Sequence, residues 1–339
     1  MTTATSYQAA DGSFVRPDSE FRNTVSSDPG ARFPPEKGRY ALYLAPGCPW
    51  AHRTLIVRKL KGLDDIVDLY LLHNYMGPEG WYFSGEGGSL PKDPLYGFAT
   101  LKQLYLKANP GYTGRYTVPV LWDKKTGTLV NNESSDIIRI LAGSFDHLLP
   151  RDRQEQSLPG GGLYRFRSDA SRAAIDALQD WVYHTVNNGV YKVGFAASQA
   201  AYDEHLGPLF ASLDRLEALL QQGRGPFLFG ADLTEADVRL YTTLVRFDTA
   251  YHHVFQCTLR TIRHDYPHLH LWLRRLYWDG KAVREQTRGA FHDATAPYIA
   301  HYVEGYARSR FKVLFKEQGP LIIPANPTHL VEALPEDEK

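Results

Sequence analysis

Arg39-Tyr40-Ala41-Leu42-Tyr43-Leu44-Ala45-Pro46-Gly47-Cys48-Pro49-Trp50-Ala51-His52-Arg53 is the stretch on which the reading of this chain turns. Its first six residues are short, apolar and aromatic, as a buried strand is. Ala45-Pro46-Gly47 breaks that run, and from Pro49 to Lys61 the apolar residues Leu55, Ile56 and Leu60 recur at helical spacing. Pro49 suits the first helical position, where no N–H is needed. The residue before a proline avoids helical dihedrals, so Cys48 is predicted at the N-cap. There the sulfur faces unpaired backbone N–H groups and the positive end of the helix dipole. Such a site lowers a thiol pKa from ~8.5 toward ~3.5–7.5 and favours a thiolate at neutral pH. The bland alternative is an inert buried cysteine.

Outward from this stretch, Val67 to Leu72 reads as a second strand, so the chain opens β-α-β with a right-handed crossover. Residues 73 to 98 form a long Gly-rich loop with a Trp81-Tyr82-Phe83 cluster. Thr100 to Ala108 is predicted helical, Thr117–Trp122 and Thr128–Val130 pair around a Lys-Gly turn, and a helix starts at Glu133-Ser134. The order β-α-β-α-β-β-α is the thioredoxin arrangement. Pro150, Pro159 and the glycines of 150–165 mark a linker. Past residue 166 strands nearly vanish and helices are predicted over about 168–187, 198–222, 235–250 and 268–278. Thr234-Glu235-Ala236-Asp237 resembles a capping box. Tyr298, Tyr302 and Tyr306 share one face if a helix runs there. The expected organisation is an extended surface arm over 1–36, an α/β domain over 37–149, the linker, an all-helical domain over 166–300 and a tail over 301–339.

Composition excludes several classes. Lys+Arg and Asp+Glu are both 38, so no polyanionic partner such as nucleic acid is called for. No apolar run approaches the ~18 residues of a membrane span, and Met1–Gly12 lacks a secretory pattern. With 2 cysteines, Cys48 and Cys257, there is neither a disulfide framework nor a zinc spacing, and a reducing, cytoplasmic compartment fits. The 13 histidines show no spacing backed by cysteines or carboxylates, so no metal is expected.

Two further elements bear on chemistry. Val118-Pro119 opens the third predicted strand, where the thioredoxin arrangement carries a cis-proline whose preceding residue offers its backbone N–H and C=O to an extended peptide. Glu133-Ser134 puts a carboxylate and a hydroxyl at a helix start, a fit for the ammonium and carboxylate of a γ-glutamyl group. Ala51 stands where a dithiol oxidoreductase has its second cysteine. A mixed disulfide at Cys48 must therefore be cleared by an outside thiol, and glutathione is the abundant one.

Taken together, Cys48-Pro49-Trp50-Ala51-His52-Arg53, Gly80-Trp81, Val118-Pro119-Val120-Leu121-Trp122, Asn132-Glu133-Ser134, Asn187-Asn188-Gly189-Val190-Tyr191-Lys192 and Leu233-Thr234-Glu235-Ala236-Asp237 resemble the xi class of glutathione transferases, the glutathionyl-hydroquinone reductases. The resemblance spans roughly residues 30 to 300. It implies a thioredoxin-like domain followed by a glutathione transferase-type helical domain, and a homodimer formed through the latter. It implies Cys48 as nucleophile, Trp81, Val118, Pro119, Glu133 and Ser134 as glutathione contacts, and Tyr191 as a hydroxyl donor to the second substrate. A later His-Tyr pair of the family matches His301-Tyr302, with Tyr298 and Tyr306 as neighbours. The family's Ile-Asn-Pro run is displaced here to Ile323-Pro324-Ala325-Asn326-Pro327. The rival readings are an omega-like thioltransferase or dehydroascorbate reductase, which shares Cys48 but not the tyrosines, and a non-catalytic interaction module, which tends to lose the thiol.

Overall fold

The five residues Tyr40–Leu44 form strand β1, and all are buried. A strand apolar on both faces belongs inside a sheet, and β1 lies between two neighbours in a sheet of order β2-β1-β3-β4. It pairs in parallel with β2 (Val67–Leu71), Tyr40 opposite Val67, and antiparallel with β3 (Val120–Asp123), Tyr43 opposite Val120. β3 turns back into β4 (Thr128–Asn131). This computed structural model describes residue 9 and residues 11–325 and 331–339. The crossover helix α1 (Pro49–Leu60) packs against α3 (Ser134–Gly143), while α2 (Leu101–Ala108) packs on β4. The first four strands and three helices thus follow the expected order to within three residues at each end.

The chain resolves into two compact units. One is Asp18–Phe166; the other is Arg167–Lys339 together with the described residues before Asp18. The stretch 1–36, expected as one surface arm, is therefore divided. From Asp18 on it is built into the sheet unit: Asn132 N–H donates to Phe21 C=O at 3.0 Å and Asn23 N–H to Val130 C=O at 3.1 Å, covering the open edge of β4. Val25 and Phe33 are each 2% exposed, apolar anchors among the polar residues. The stretch 150–165, expected as a linker, is a run of 3₁₀ turns tied to the same unit. Glu155 is fully buried and its backbone N–H donates to Asp146, while Lys61 donates to Asp146 at 3.0 Å. Burial raises the Glu155 carboxyl, and the Lys61 charge only partly offsets it.

In the helical unit the elements are α4 (Asp169–Val182), α5 (Gly189–Gly194), α6 (Gln199–Gln222), α7 (Glu235–Leu244), α8 (Ile262–Asp265), α9 (Pro267–Trp278), α10 (Arg284–Thr287), α11 (Ala290–Thr295) and α12 (Tyr302–Phe315). The capping box forms, with Thr234 and Asp237 serving the start of α7. Asp237 is buried and also accepts from Leu228 N–H at 2.9 Å and the Trp272 indole at 3.1 Å, so it is a hub as well as a cap. Two π turns, Tyr183–Asn187 and Phe247–Tyr251, interrupt stretches expected as plain helix. The stretch 301–339, expected as a tail, opens with α12, whose Tyr302, Val303, Tyr306 and Ala307 are buried. Val331 and Leu334 are buried as well, and Arg275 pairs with Glu338. Asn326-Pro327, part of the displaced run, lie outside the described residues.

Candidate active site

Cys48 is the N-cap of α1, with extended dihedrals of φ −79° and ψ 122°. Its N–H donates to Ala45 C=O at 3.0 Å, closing the turn, and its C=O receives the first helical bond from His52 N–H at 2.9 Å. The thiol is half-buried. Gly47 is required by close approach: a Cβ there would fall 2.1 Å from the carbonyl oxygen of Asn74, just past β2. The Asn74 side chain in turn donates to Gly87 C=O at 3.0 Å, so the cysteine turn leans on the long loop. One helical turn on, the Arg53 guanidinium lies 4.5 Å from the centre of the Trp50 ring.

The Val118–Pro119 bond is cis, and Cys48 Sγ lies 4.0 Å from Val118 C=O. These two segments, 70 residues apart, are brought together because β1 and β3 are antiparallel neighbours, so the turn that follows β1 and the residues that precede β3 lie at the same end of the sheet. Glu133 caps α3 and accepts from Ser135 N–H at 3.0 Å; its other oxygen accepts from the Ser19 hydroxyl at 3.0 Å. Ser134, 2% exposed, is the first residue of that helix. Its neighbour Asn132 donates to the Tyr105 hydroxyl at 3.0 Å, which donates to Thr117 C=O at 2.8 Å, a short distance before Val118. Trp81 is half-buried and its C=O accepts from Leu101 N–H at 2.9 Å, fixing it at the start of α2. Burial pulls the nearby-sequence guanidinium of Arg115 down to about 10.

The helical unit holds a second polar centre, inside an aromatic cluster. Tyr191, on α5, stands with its hydroxyl 3.3 Å from that of Tyr306, which is 2.7 Å from that of Tyr251. Phe14, Phe195 and Phe255 surround Tyr191, with ring centroids 5.9, 5.9 and 5.6 Å away. The two π turns lead into Tyr191 and end on Tyr251; π turns of this kind often mark functional sites. Tyr302, expected as the second donor, sits one turn before Tyr306 on α12. It is 1% exposed, and the buried guanidinium of Arg246 lies 3.8 Å from its ring centre. One turn of α12 separates the two tyrosines, and it is Tyr306 whose hydroxyl meets Tyr191. Burial raises the Tyr302 phenol to about 12, with the Arg246 charge opposing it. Tyr251 and Phe14 escaped the sequence reading, since only packing brings them to Tyr191.

Cys257 is fully buried, and burial pushes its thiol well above the ordinary range. A cavity of about 360 Å³ elsewhere in the helical unit is lined by Arg167, Ser171, Phe229 and Asp232 among others, and by no residue of the aromatic cluster. Among the described residues no group of three or more His, Cys, Asp and Glu is placed to hold a metal ion, and no helix is long and apolar enough to cross a membrane.

Comparison with known proteins agrees with this geometry. Residues 47–143 match the family model of the glutathione S-transferase N-terminal domain, and residues 199–275 that of the C-terminal domain. Glutathione S-transferase omega-like 2 of Schizosaccharomyces pombe is 48% identical over 286 residues, covering 84% of this chain and 88% of its own. Glutathionyl-hydroquinone reductase YqjG of Escherichia coli K12 is 47% identical over 272 residues, covering 78% and 79%. Its glutathione-bound structure matches with a TM-score of 0.79 at 41% identity, over 94% of this chain and 96% of that one. The xi glutathione S-transferase of Phanerochaete chrysosporium matches with a TM-score of 0.85 at 46% identity over 97% of both chains. The chain therefore belongs to the glutathione S-transferase family, in the xi-class branch that includes the glutathionyl-hydroquinone reductases.

Proposed function

We propose that this protein reduces glutathionyl-hydroquinones to hydroquinones, with Cys48 as nucleophile and glutathione as reductant. The observation that carries the reading is a lone half-buried thiol at the N-cap of α1, 4.0 Å from Val118 C=O, with Ala51 where a resolving thiol would stand. The Cys48 thiolate attacks the glutathionyl sulfur. The sulfur–carbon bond breaks, its electron pair goes to the aromatic carbon, and that carbon takes a proton. A glutathione thiolate then attacks the mixed disulfide, releasing oxidised glutathione and restoring Cys48. Trp81, Val118, Pro119, Glu133 and Ser134 hold the glutathione moiety: an extended backbone edge at Val118 and a helix start at Ser134 suit its peptide bonds and γ-glutamyl end.

Charge that develops on the departing ring and its oxygen needs donors placed in advance. Tyr191 supplies one. For the second we choose Tyr306 over Tyr302, because its hydroxyl stands 3.3 Å from that of Tyr191. The enzyme acts in the cytoplasm as a homodimer formed through the helical unit. The test is to assay the purified protein side by side on a glutathionyl-hydroquinone, a glutathione mixed disulfide and dehydroascorbate. Turnover of the first well above the others is expected; preference for dehydroascorbate or the disulfide would favour the omega-like thioltransferase, and no turnover of any would leave an interaction module.

A further inference from the structure

The polar composition before Pro17 predicts a surface arm, yet Phe14 is 7% exposed. Its ring stacks on Tyr191 at 5.9 Å and 26°, and on Phe195 at 5.7 Å and 28°. Hydrogen bonds hold the arm at this place. Gly12 C=O accepts from Ala197 N–H at 3.0 Å, and Asp11 C=O accepts from the Ser198 hydroxyl at 3.1 Å. Asp11 also receives the Ser13 N–H at 2.9 Å through its side chain. Gly12 has a φ of +84°, and a Cβ there would come within 3.2 Å of Ser198 Oγ, so the turn calls for glycine on both counts. The arm is thus fastened to the connection between α5 and α6, and Phe14 is delivered onto the face of Tyr191.

Tyr191 needs such support. It is half-buried on a helix of 6 residues, flanked by a π turn. The hydroxyl oxygen of a tyrosine lies on the axis of its second side-chain torsion, so it is displaced when the first torsion swings the ring sideways, and it can serve a reaction only while that swing is blocked. Phe195 and Phe255 meet the ring tilted and edge-on, at 39° and 68°. Phe14 is the nearly parallel partner, and a ring stacked on the face blocks the swing toward it.

We infer that Phe14 is a positioning residue for Tyr191, acting from the N-terminal arm to hold the phenol hydroxyl on Tyr306 and thereby setting the rate on aromatic thioether substrates. The inference rests on the reading of Tyr191 as a hydroxyl donor. It is tested in the full chain with Phe14→Ala, Phe14→Leu, Phe14→Tyr and Tyr191→Phe, assayed on a glutathionyl-hydroquinone and on a glutathione mixed disulfide. Phe14→Ala should lower kcat on the thioether roughly five- to tenfold while leaving KM for glutathione and the disulfide rate near wild type. Phe14→Leu, which keeps apolar bulk without a ring, should lose nearly as much; Phe14→Tyr should restore most of it. On a Tyr191→Phe background, Phe14→Ala should cost nothing further, because it acts through the missing hydroxyl. Multiplying losses in that double variant, or equal damage to both substrates, would overturn the inference and make the arm a structural strap. Should Tyr191→Phe be damaging and Phe14→Ala silent, this inference alone falls. Should Tyr191→Phe itself be silent, the donor assignment falls first and the inference with it.

Discussion

The two polar centres of this molecule are built from different materials. The Cys48 centre is made of backbone: a strand end, a helix start, the Gly47 approach to Asn74 and the carbonyl of Val118. The Tyr191 centre is made of side chains, from α5, the Phe247–Tyr251 turn, α12 and the arm before Pro17. Backbone geometry is inherited from the fold and tolerates changes of side chain; a side-chain cluster depends on each member. The first centre should therefore fail all at once, on every substrate, and the second by degrees and selectively.

The largest effect tests the first half of that contrast. Cys48→Ser should remove essentially all thioether and disulfide reduction; a residue of roughly a tenth of wild-type rate would sink the nucleophile assignment. Cys257→Ala should leave both rates intact. Serine is the worse control at that position, since it buries a hydroxyl in an apolar site at a cost of ~1–3 kcal/mol.

Next in size is the selective failure of the second centre. Losing a preorganised donor costs about 10²–10³ in rate. Tyr191→Phe combined with Tyr306→Phe should therefore cripple the glutathionyl-hydroquinone reaction yet spare a mixed disulfide, whose leaving thiolate needs no such help. Tyr302→Phe keeps the ring over Arg246 and should change either rate little. If Tyr302→Phe proves as damaging as Tyr306→Phe, the choice between them must be reversed.

Glycines offer a matched pair of smaller perturbations. A Cβ on Gly47 would lie 2.1 Å from Asn74 O, and one on Gly194 would lie 2.2 Å from the Phe255 ring. Each alanine should destabilise by about 1–3 kcal/mol, the usual cost of overpacking. Their activities should diverge: Gly47→Ala should slow both substrates by moving the cysteine turn, Gly194→Ala the thioether alone. Equal profiles would mean that the two centres fail alike.

The smallest effect is on pH. In the native protein, alkylation of Cys48 should have its midpoint below ~8.5, the free-cysteine value, because the helix start favours the thiolate. Cys257 should stay unlabelled at neutral pH, since burial raises its thiol. The raised folded-state pKa also fixes a sign: this group's contribution to stability is complete below ~8.5 and lost as pH rises past it, by up to about 1.4 kcal/mol per pH unit. Alkaline denaturation of Cys257→Ala should lack that component.

The same contrast explains what could be read from the sequence. The strand-turn-helix around Cys48, the proline before β3 and the Glu133-Ser134 start are local signals, each set by neighbours in the chain. They are enough to read the N-cap at Cys48, the cis bond at Val118–Pro119 and the cap at Glu133. Tyr191 is signalled only by resemblance to a family motif, and which of Tyr302 and Tyr306 stands beside it is not legible, because the two share a face and nothing local says which hydroxyl is met. Phe14 and Tyr251 carry no local signal at all; their roles exist only once α5, α12 and the arm have packed. The supposed linker and tail misled for a similar reason: Pro, Gly and polar residues look loose until Glu155, Val331 and Leu334 are seen buried.

The division of the chain at Pro17 and again at Phe166 has a consequence for anyone who would take the protein apart. Because the chain passes from one unit to the other twice, a single proteolytic cut at either junction leaves the two units still tied through the remaining one. A fragment begun at Arg167 is not the helical unit: it lacks Phe14, so the ring faces of Tyr191 and Phe195 that Phe14 covers would meet water. Measurements on such a fragment would understate the unit's stability and misreport its aromatic site. Only material that keeps residues 9–17 beside 167–339, as a nicked complex or a redesigned connection, represents the intact helical unit.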